Sequence, residues 1–251
     1  MGWAARTRER VVIGCPRGGA VTAAFDSSLA ALLFDQFRAR PADQVQVAGS
    51  IARTGLYIED NRDFISLHFL DDYATVPWLL LIDSDIQFMP DLIDQMLDAA
   101  HTREDIRILS GNVPLDVFPN VAYLATPQPG VFAPLKMLPP ERIFEVDAAA
   151  TAIMLIHREV LQKIREREGE CWFYRHKVAI EDSGGYQYRQ FFNLGEDISF
   201  CLRARDAGFP TWVVQGLTGV THHNLAATRR QLLEAQAEIA RLRGLAGGRV
   251  A

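Results

Sequence analysis

Two aspartates one residue apart, Asp83 and Asp85, directly follow the run Trp78-Leu-Leu-Leu-Ile82. A run of large apolar residues suits a strand covered on both faces. Positions i and i+2 of a strand share a face, so both carboxylates are expected to project together from its end. In open α/β sheets, ligands bind beyond the carboxyl ends of the strands. Two convergent carboxylates there suit a hard divalent cation whose remaining positions a diphosphate fills. The alternative is a structural turn with an Asx cap. A second acidic pair, Glu196-Asp197, opens a segment that runs to Gly208. Its functional reading is a general base that takes a proton from a hydroxyl. Its structural reading is a helix start, where the dipole favours negative charge. A third signal is Val220-Thr221-His222-His223. His222 is a candidate nitrogen ligand for the same cation, against a structural or exposed histidine.

These residues need elements to hold them. Arg10 to Cys15 reads as a buried strand and Pro16-Arg17-Gly18-Gly19 as the loop after it. Ala20 to Arg38 spaces Phe25, Leu29, Leu32, Leu33 and Phe37 as a helix does. A strand over 45–49, a helix over 61–73, the strand ending at Ile82, a helix over 90–100 and a strand over 106–110 continue the alternation. That pattern argues for an α/β architecture with a mostly parallel sheet. Seven prolines between Pro114 and Pro140 predict irregular chain and an edge hairpin lying over the sheet. A small, apolar stretch over 146–156, helices over 158–168 and 196–208 and a strand over 211–214 complete the domain. After Asn224, Leu225, Leu232 and Ile239 recur every seven residues. The expected division is therefore a catalytic domain over 1–223 and a C-terminal helix with a loose tail over 224–251. The seven-residue stripe suits a homodimer built through that helix, with packing on its own domain as the alternative.

The chain has 251 residues, of which 49% are hydrophobic and 23% charged, a globular composition that excludes a disordered chain. Its 26 basic and 31 acidic residues leave a net charge of −5, which disfavours binding nucleic acid through phosphates alone. Apolar runs fall short of the ~20 residues that span a bilayer, and no signal peptide is visible, so a cytoplasmic location is expected. Three widely spaced cysteines, Cys15, Cys171 and Cys201, make neither a disulfide framework nor a zinc site. A local cluster of Trp172, Phe173, Tyr174, Tyr186, Tyr188, Phe191 and Phe192, with Arg175, His176, Lys177 and Arg189, has the makings of an acceptor cradle. In that reading Trp172, Phe173 and Lys177 are the acceptor-side residues and 179–185 a loop that closes over a donor. The alternative is a mobile lid with ordinary surface charges.

Taken in order, Cys15-Pro16-Arg17-Gly18-Gly19, Asn61-Arg62-Asp63, Leu81-Ile82-Asp83-Ser84-Asp85, Val146-Asp147-Ala148-Ala149, Gly195-Glu196-Asp197 and His222 carry a resemblance. The chain resembles nucleotide-sugar-dependent glycosyltransferases of the GT-A fold, closest to the compact family-2-like enzymes often encoded by bacteriophages and bacteria. It departs from them in having Asp63 where Asn commonly follows the arginine, and Asp147-Ala-Ala-Ala150 where Gly is frequent. The resemblance implies a nucleotide near Pro16, Arg17 and Arg62, with Asp83, Ser84 and Asp85 on the donor. It implies Mn²⁺ or Mg²⁺ on Asp85, with His222 closing the coordination and Asp83 reaching the metal or ribose. Asp197, or Glu196 if the register differs, is then the base that activates an acceptor hydroxyl. The implied partners are a nucleotide-sugar, UDP-sugar favoured, and an acceptor that is a glycan, a protein or modified DNA. A nucleotidyltransferase and a non-catalytic interaction protein are the competing readings; the first would show a fuller Gly-rich phosphate loop, and the second needs none of the acidic residues.

Overall fold

Every residue of the run Trp78-Leu-Leu-Leu-Ile82 is buried, and its side chains alternate between two separate packed faces. A computed structural model of the chain describes residues 9–17, 21–113, 122–126, 131–135, 137–179, 191–218 and 220–222. Its first half contains β1 (Val11–Arg17), α1 (Ala23–Phe34), β2 (Val47–Thr54), α2 (Ile58–Asp72), β3 (Trp78–Ile82), β4 (Ile86–Gln87), α3 (Leu92–Ala100) and β5 (Ile108–Gly111). Its second half contains β6 (Ala122–Ala125), β7 (Phe132–Pro134), β8 (Ile143–Val146), β9 (Ala148–Ala149), β10 (Ile153–His157), α4 (Arg158–Glu168), β11 (Lys177–Ala179), β12 (Phe191–Asn193), α5 (Glu196–Asp206), β13 (Thr211–Val214) and β14 (Thr221–His222).

Seven strands form one sheet in the order β2-β1-β3-β10-β5-β13-β8. Five of them, β2, β1, β3, β5 and β13, run in one direction, while β10 and β8 oppose them. The sheet is therefore mostly parallel, as expected, with an antiparallel strand inserted at its centre. Trp78, Leu80 and Ile82 pack with α1 and α3 on one face. Leu79 and Leu81 pack with α2, α4 and α5 on the other. Helices on both faces explain why β3 is apolar throughout. The edge hairpin is present as β6 and β7, paired through β6 to β9.

Several boundaries differ from the sequence reading. Pro16 and Arg17 belong to β1 rather than to a loop, because β1 keeps β2 as a partner as far as Arg17↔Thr54. The pairing with β3 ends at Gly14↔Leu81, so Pro16, which has no N–H, sits where one side of the strand is already unpaired. Helix α2 starts at Ile58, not Asn61; Glu59 and Asp60 fill its first turn, and Arg62 lies inside the helix. Helix α4 occupies the predicted span and ends at Gly169, whose φ of 80° suits glycine. The heptad segment 224–243 and the proposed dimer contact lie outside the described residues, as do Gly18, Gly19, Tyr186, Tyr188, Arg189 and the lid at 180–185. No helix among the described residues is long and apolar enough to cross a membrane.

Candidate active site

Position 83 continues the face of Leu79 and Leu81, so the Asp83 carboxylate enters the side of the sheet covered by α2 and α5. Its backbone N–H is fixed by the carbonyl of Ala152 at 2.9 Å, just before β10. Alternation then stops. The Ile86 N–H bonds the Asp83 carbonyl at 3.2 Å, closing a turn over Ser84 and Asp85. The strand's i, i+2 rule thus ends at Asp83, and Asp85 is placed by the turn, half-buried at its corner. The Ser84 carbonyl accepts from the backbone N–H of Thr22, the residue whose hydroxyl caps α1, so the turn is tied to the first helix.

Arg62 reaches this point from α2, with its side chain only 3% exposed. Its Nη2 donates to both oxygens of Asp83, at 2.9 and 3.2 Å. Its Nη1 donates to Glu196 at 2.8 Å and to Asp197 at 3.3 Å. These two residues form the first turn of α5, directly after Gly195. Thr151, fully buried between β9 and β10, donates its hydroxyl to Asp197 Oδ1 at 3.0 Å. On the outer side, Arg175 lies 3.6 Å from Glu196 and 3.1 Å from Glu59.

Three carboxylates thus share one buried guanidinium. Burial pushes the Asp197 carboxyl up to about 7 against the opposing pull of Arg62, with the neighbouring Glu196 and Asp83 adding to the rise. Burial also raises Glu196, but Arg62, a backbone N–H and the hydrogen bond with Asp197 overcome it and hold that carboxyl below its ordinary value. The pair therefore divides into a firmly ionised Glu196 and a proton-binding Asp197. Asp83 is raised by burial, against Arg62 and with the help of Asp85 and Glu196. Tyr123 of β6 is raised by burial and by the charge of Asp197, which places it beside the same pocket.

Trp172 and Phe173, assigned to the acceptor side, are core instead. Trp172 and Phe173 are 0% exposed and offer no face to a ligand. Trp172 donates its indole N–H to the Leu161 carbonyl at 2.8 Å, and Phe173 stacks on Phe200 with ring centroids 4.6 Å apart. Phe173 also lies 5.9 Å below the Arg62 guanidinium, so these rings support the charged cluster from beneath. The loop that carries them is locked by Asp63, whose Oδ1 accepts from the Phe173 N–H at 2.7 Å. Burial pushes the Asp63 carboxyl up to about 6. Of the neighbouring residues, Cys171, Tyr174, Arg175 and Lys177 are exposed.

At the donor end, the Arg17 carbonyl accepts from the Asn61 side chain and the Gly55 N–H, both at 3.3 Å, which joins β1 to the β2–α2 turn. The Arg17 Nε is buried and makes no hydrogen bond among the described residues. For a metal, the donor set is sparse: among the described residues no three His, Cys, Asp or Glu side chains are grouped to hold an ion. Asp83 is not an open ligand, because both its oxygens are taken by Arg62. Beyond it, the β14–β4 ladder sets the backbone of His222 opposite Ile86, one residue from the Asp85 carboxylate in the turn. One carboxylate with an adjacent chain segment fits a cation that takes most of its ligands from phosphate and water, not one held in an all-protein cage. Sequence reasoning missed Thr151, Glu59 and Tyr123. The only sign of Thr151 was a lone hydroxyl within the apolar stretch 146–156.

A family model described as glycosyltransferase-like family 2 matches residues 33–244. No curated protein sequence matches the chain. Among solved structures, protein A197 from STIV shares 16% identity over 86% of each chain, with a TM-score of 0.53, a likeness of fold. A glycosyltransferase involved in glycosylation of the major capsid of PBCV-1 aligns at 11% identity over 63% of this chain and 68% of the other, with a TM-score of 0.36.

Proposed function

The chain belongs to the glycosyltransferase-like family 2, and from that premise we propose that it transfers a sugar from a nucleotide-diphosphate sugar, a UDP-sugar for preference, to an acceptor hydroxyl with inversion. The observation that carries this reading is Asp197, a half-buried carboxyl pushed up to about 7 and joined through Arg62 to the strand-end Asp83. A general base works best when its pKa lies near the operating pH.

The donor is proposed to lie over the carboxyl ends of β1 and β3, with Pro16, Arg17, Ser84 and Asp85 toward the nucleotide. Arg17 Nε, buried and without a hydrogen-bond partner among the described residues, is a donor suited to a phosphate or ribose oxygen. Mn²⁺ or Mg²⁺ would be held by Asp85 with His222, and when bound it supplies a Lewis acid that offsets charge on the leaving diphosphate. Asp197 takes the proton of the acceptor hydroxyl as that oxygen bonds to the anomeric carbon and the sugar–diphosphate bond breaks. The Thr151 hydroxyl and Arg62 both donate to Oδ1 of Asp197 and fix the orientation of its carboxylate. Glu196, ionised and engaged on both oxygens by arginines, is the poorer base and keeps Arg62 and Arg175 in register. Tyr123, Tyr174 and Lys177 are the side chains placed to meet the acceptor.

Hydrolysis of a panel of UDP-, GDP- and dTDP-sugars with Mn²⁺ tests the reading. Slow release of nucleotide from one donor, abolished in Asp197→Asn, is expected. No hydrolysis of any donor, together with no binding of any nucleotide, would refute it.

A further inference from the structure

Among the described residues, Arg62 touches both halves of this pocket. We infer that it is a positioning residue that sets the separation between the donor end, through Asp83, and the base, through Asp197. The inference rests on the roles proposed above for those two aspartates. With its side chain 3% exposed, Arg62 is covered by its own protein partners, so it acts through them rather than on the nucleotide. Asp83 hangs from the end of β3, and Asp197 starts α5, more than a hundred residues later in the chain. Among the described residues the guanidinium hydrogen-bonds to both, with Nη2 on Asp83 and Nη1 on Glu196 and Asp197.

The geometry suits that task. A guanidinium is planar and rigid, so its two terminal nitrogens hold their partners at a set spacing that a flexible ammonium cannot reproduce. The plane is itself supported, since Phe173 lies beneath it and is stacked on Phe200 of α5. Asp63, next to Arg62 on α2, holds the backbone of Phe173 at 2.7 Å. Adjacent residues of α2 therefore fix both the clamp and its floor. In a displacement reaction the base must meet the acceptor hydroxyl on the side away from the leaving diphosphate. A misplacement of ~1 Å in such an arrangement costs ~10²-fold in rate.

Two double-mutant cycles test the inference on the full chain, with melting temperature recorded for every variant. Arg62→Gln leaves three carboxylates without their counter-ion and is expected to fold poorly. Arg62→Lys keeps the charge, loses the fork and is the working variant. In the first cycle, donor hydrolysis is measured for Arg62→Lys, Asp197→Asn and the double variant. Arg62→Lys alone should lower kcat by ~10²-fold, yet lower it less than ~3-fold further once Asp197 is Asn, because coupled residues are not additive. In the second cycle, calorimetry with UDP and Mn²⁺ compares Arg62→Lys, Asp83→Asn and both together, and the two losses of affinity should again fail to multiply. Independent, multiplying costs in either cycle would overturn the clamp and leave Arg62 as a structural counter-ion. An Asp197→Asn variant that turns over like the parent would instead overturn the base assignment, and the clamp with it. The first failure is read from a ratio and the second from a single variant, so the two are distinguishable.

Discussion

Replacing Asp197 by Asn should separate turnover from stability in opposite directions. The Asn side chain keeps an Oδ1 to accept from Thr151 at 3.0 Å and from Arg62 at 3.3 Å, so the local hydrogen bonds survive. What is lost is the proton acceptor. Transfer should fall by ~10²–10⁴-fold, the usual worth of a positioned base. In the parent protein the base is active when ionised. With a pKa of about 7, only about one-tenth of it is ionised at pH 6, so kcat/KM should drop about tenfold for each unit below neutrality. Stability runs the other way. The folded protein binds a proton on Asp197 up to pH 7, whereas the unfolded chain releases it near 3.8. Between those values the folded state holds more protons, so its stability declines as pH rises and the loss is complete above 7. A shift of this size corresponds to at most ~4 kcal/mol. Glu196, held below its ordinary value, contributes with the opposite sign and reduces the net pH dependence of the parent. Asp197→Asn should therefore be more stable than the parent at pH 8 and little changed at pH 4. Urea denaturation at both pH values, beside a pH profile of donor hydrolysis, is the assay. A variant that keeps the inflection near pH 7 in its rate profile, or whose stability difference from the parent does not change with pH, would refute the reasoning.

Asp85→Ala should remove the difference in UDP affinity between Mn²⁺ and EDTA seen by calorimetry; equal affinities in the parent would eliminate the metal reading. Asp63→Asn keeps an acceptor for the Phe173 N–H while removing a carboxyl pushed up to about 6, so it should gain ~1–2 kcal/mol at pH 8 and nothing near pH 4 in urea titrations. Gly14→Ala places a Cβ 2.7 Å from both Ile65 and Leu81 in the core between β1, β3 and α2, and should cost ~1–3 kcal/mol in melting experiments. Ending the chain after His223 should change its mass by light scattering more than its affinity for UDP, since the heptad pattern lies wholly beyond that point.

The local pattern of this chain already determined much of the fold. The apolar run of β3, the helical spacing of α3 and α4 and the strand before Gln215 are short-range signals, and the helices and strands stand close to where those signals put them. The acidic residues were legible for the same reason: Asp83 had to leave the end of a buried strand, and Glu196-Asp197 had to open a helix. What no local signal carried was which groups would meet. Asp83 and Asp85 look equivalent in sequence, but one continues a strand face into Arg62 and the other sits in the turn that ends the strand. Trp172 and Phe173 have the composition of a binding surface, yet stacking on Phe200 and a hydrogen bond to Leu161 bury them completely. Arg62 resembled a nucleotide contact until three carboxylates from distant segments closed around it. Strand alternation and helix periodicity are properties of neighbours along the chain. The pairing of β10 between β3 and β5, which carries Thr151 to the pocket, and the elevated pKa of Asp197 arise only when segments far apart in sequence exclude water together.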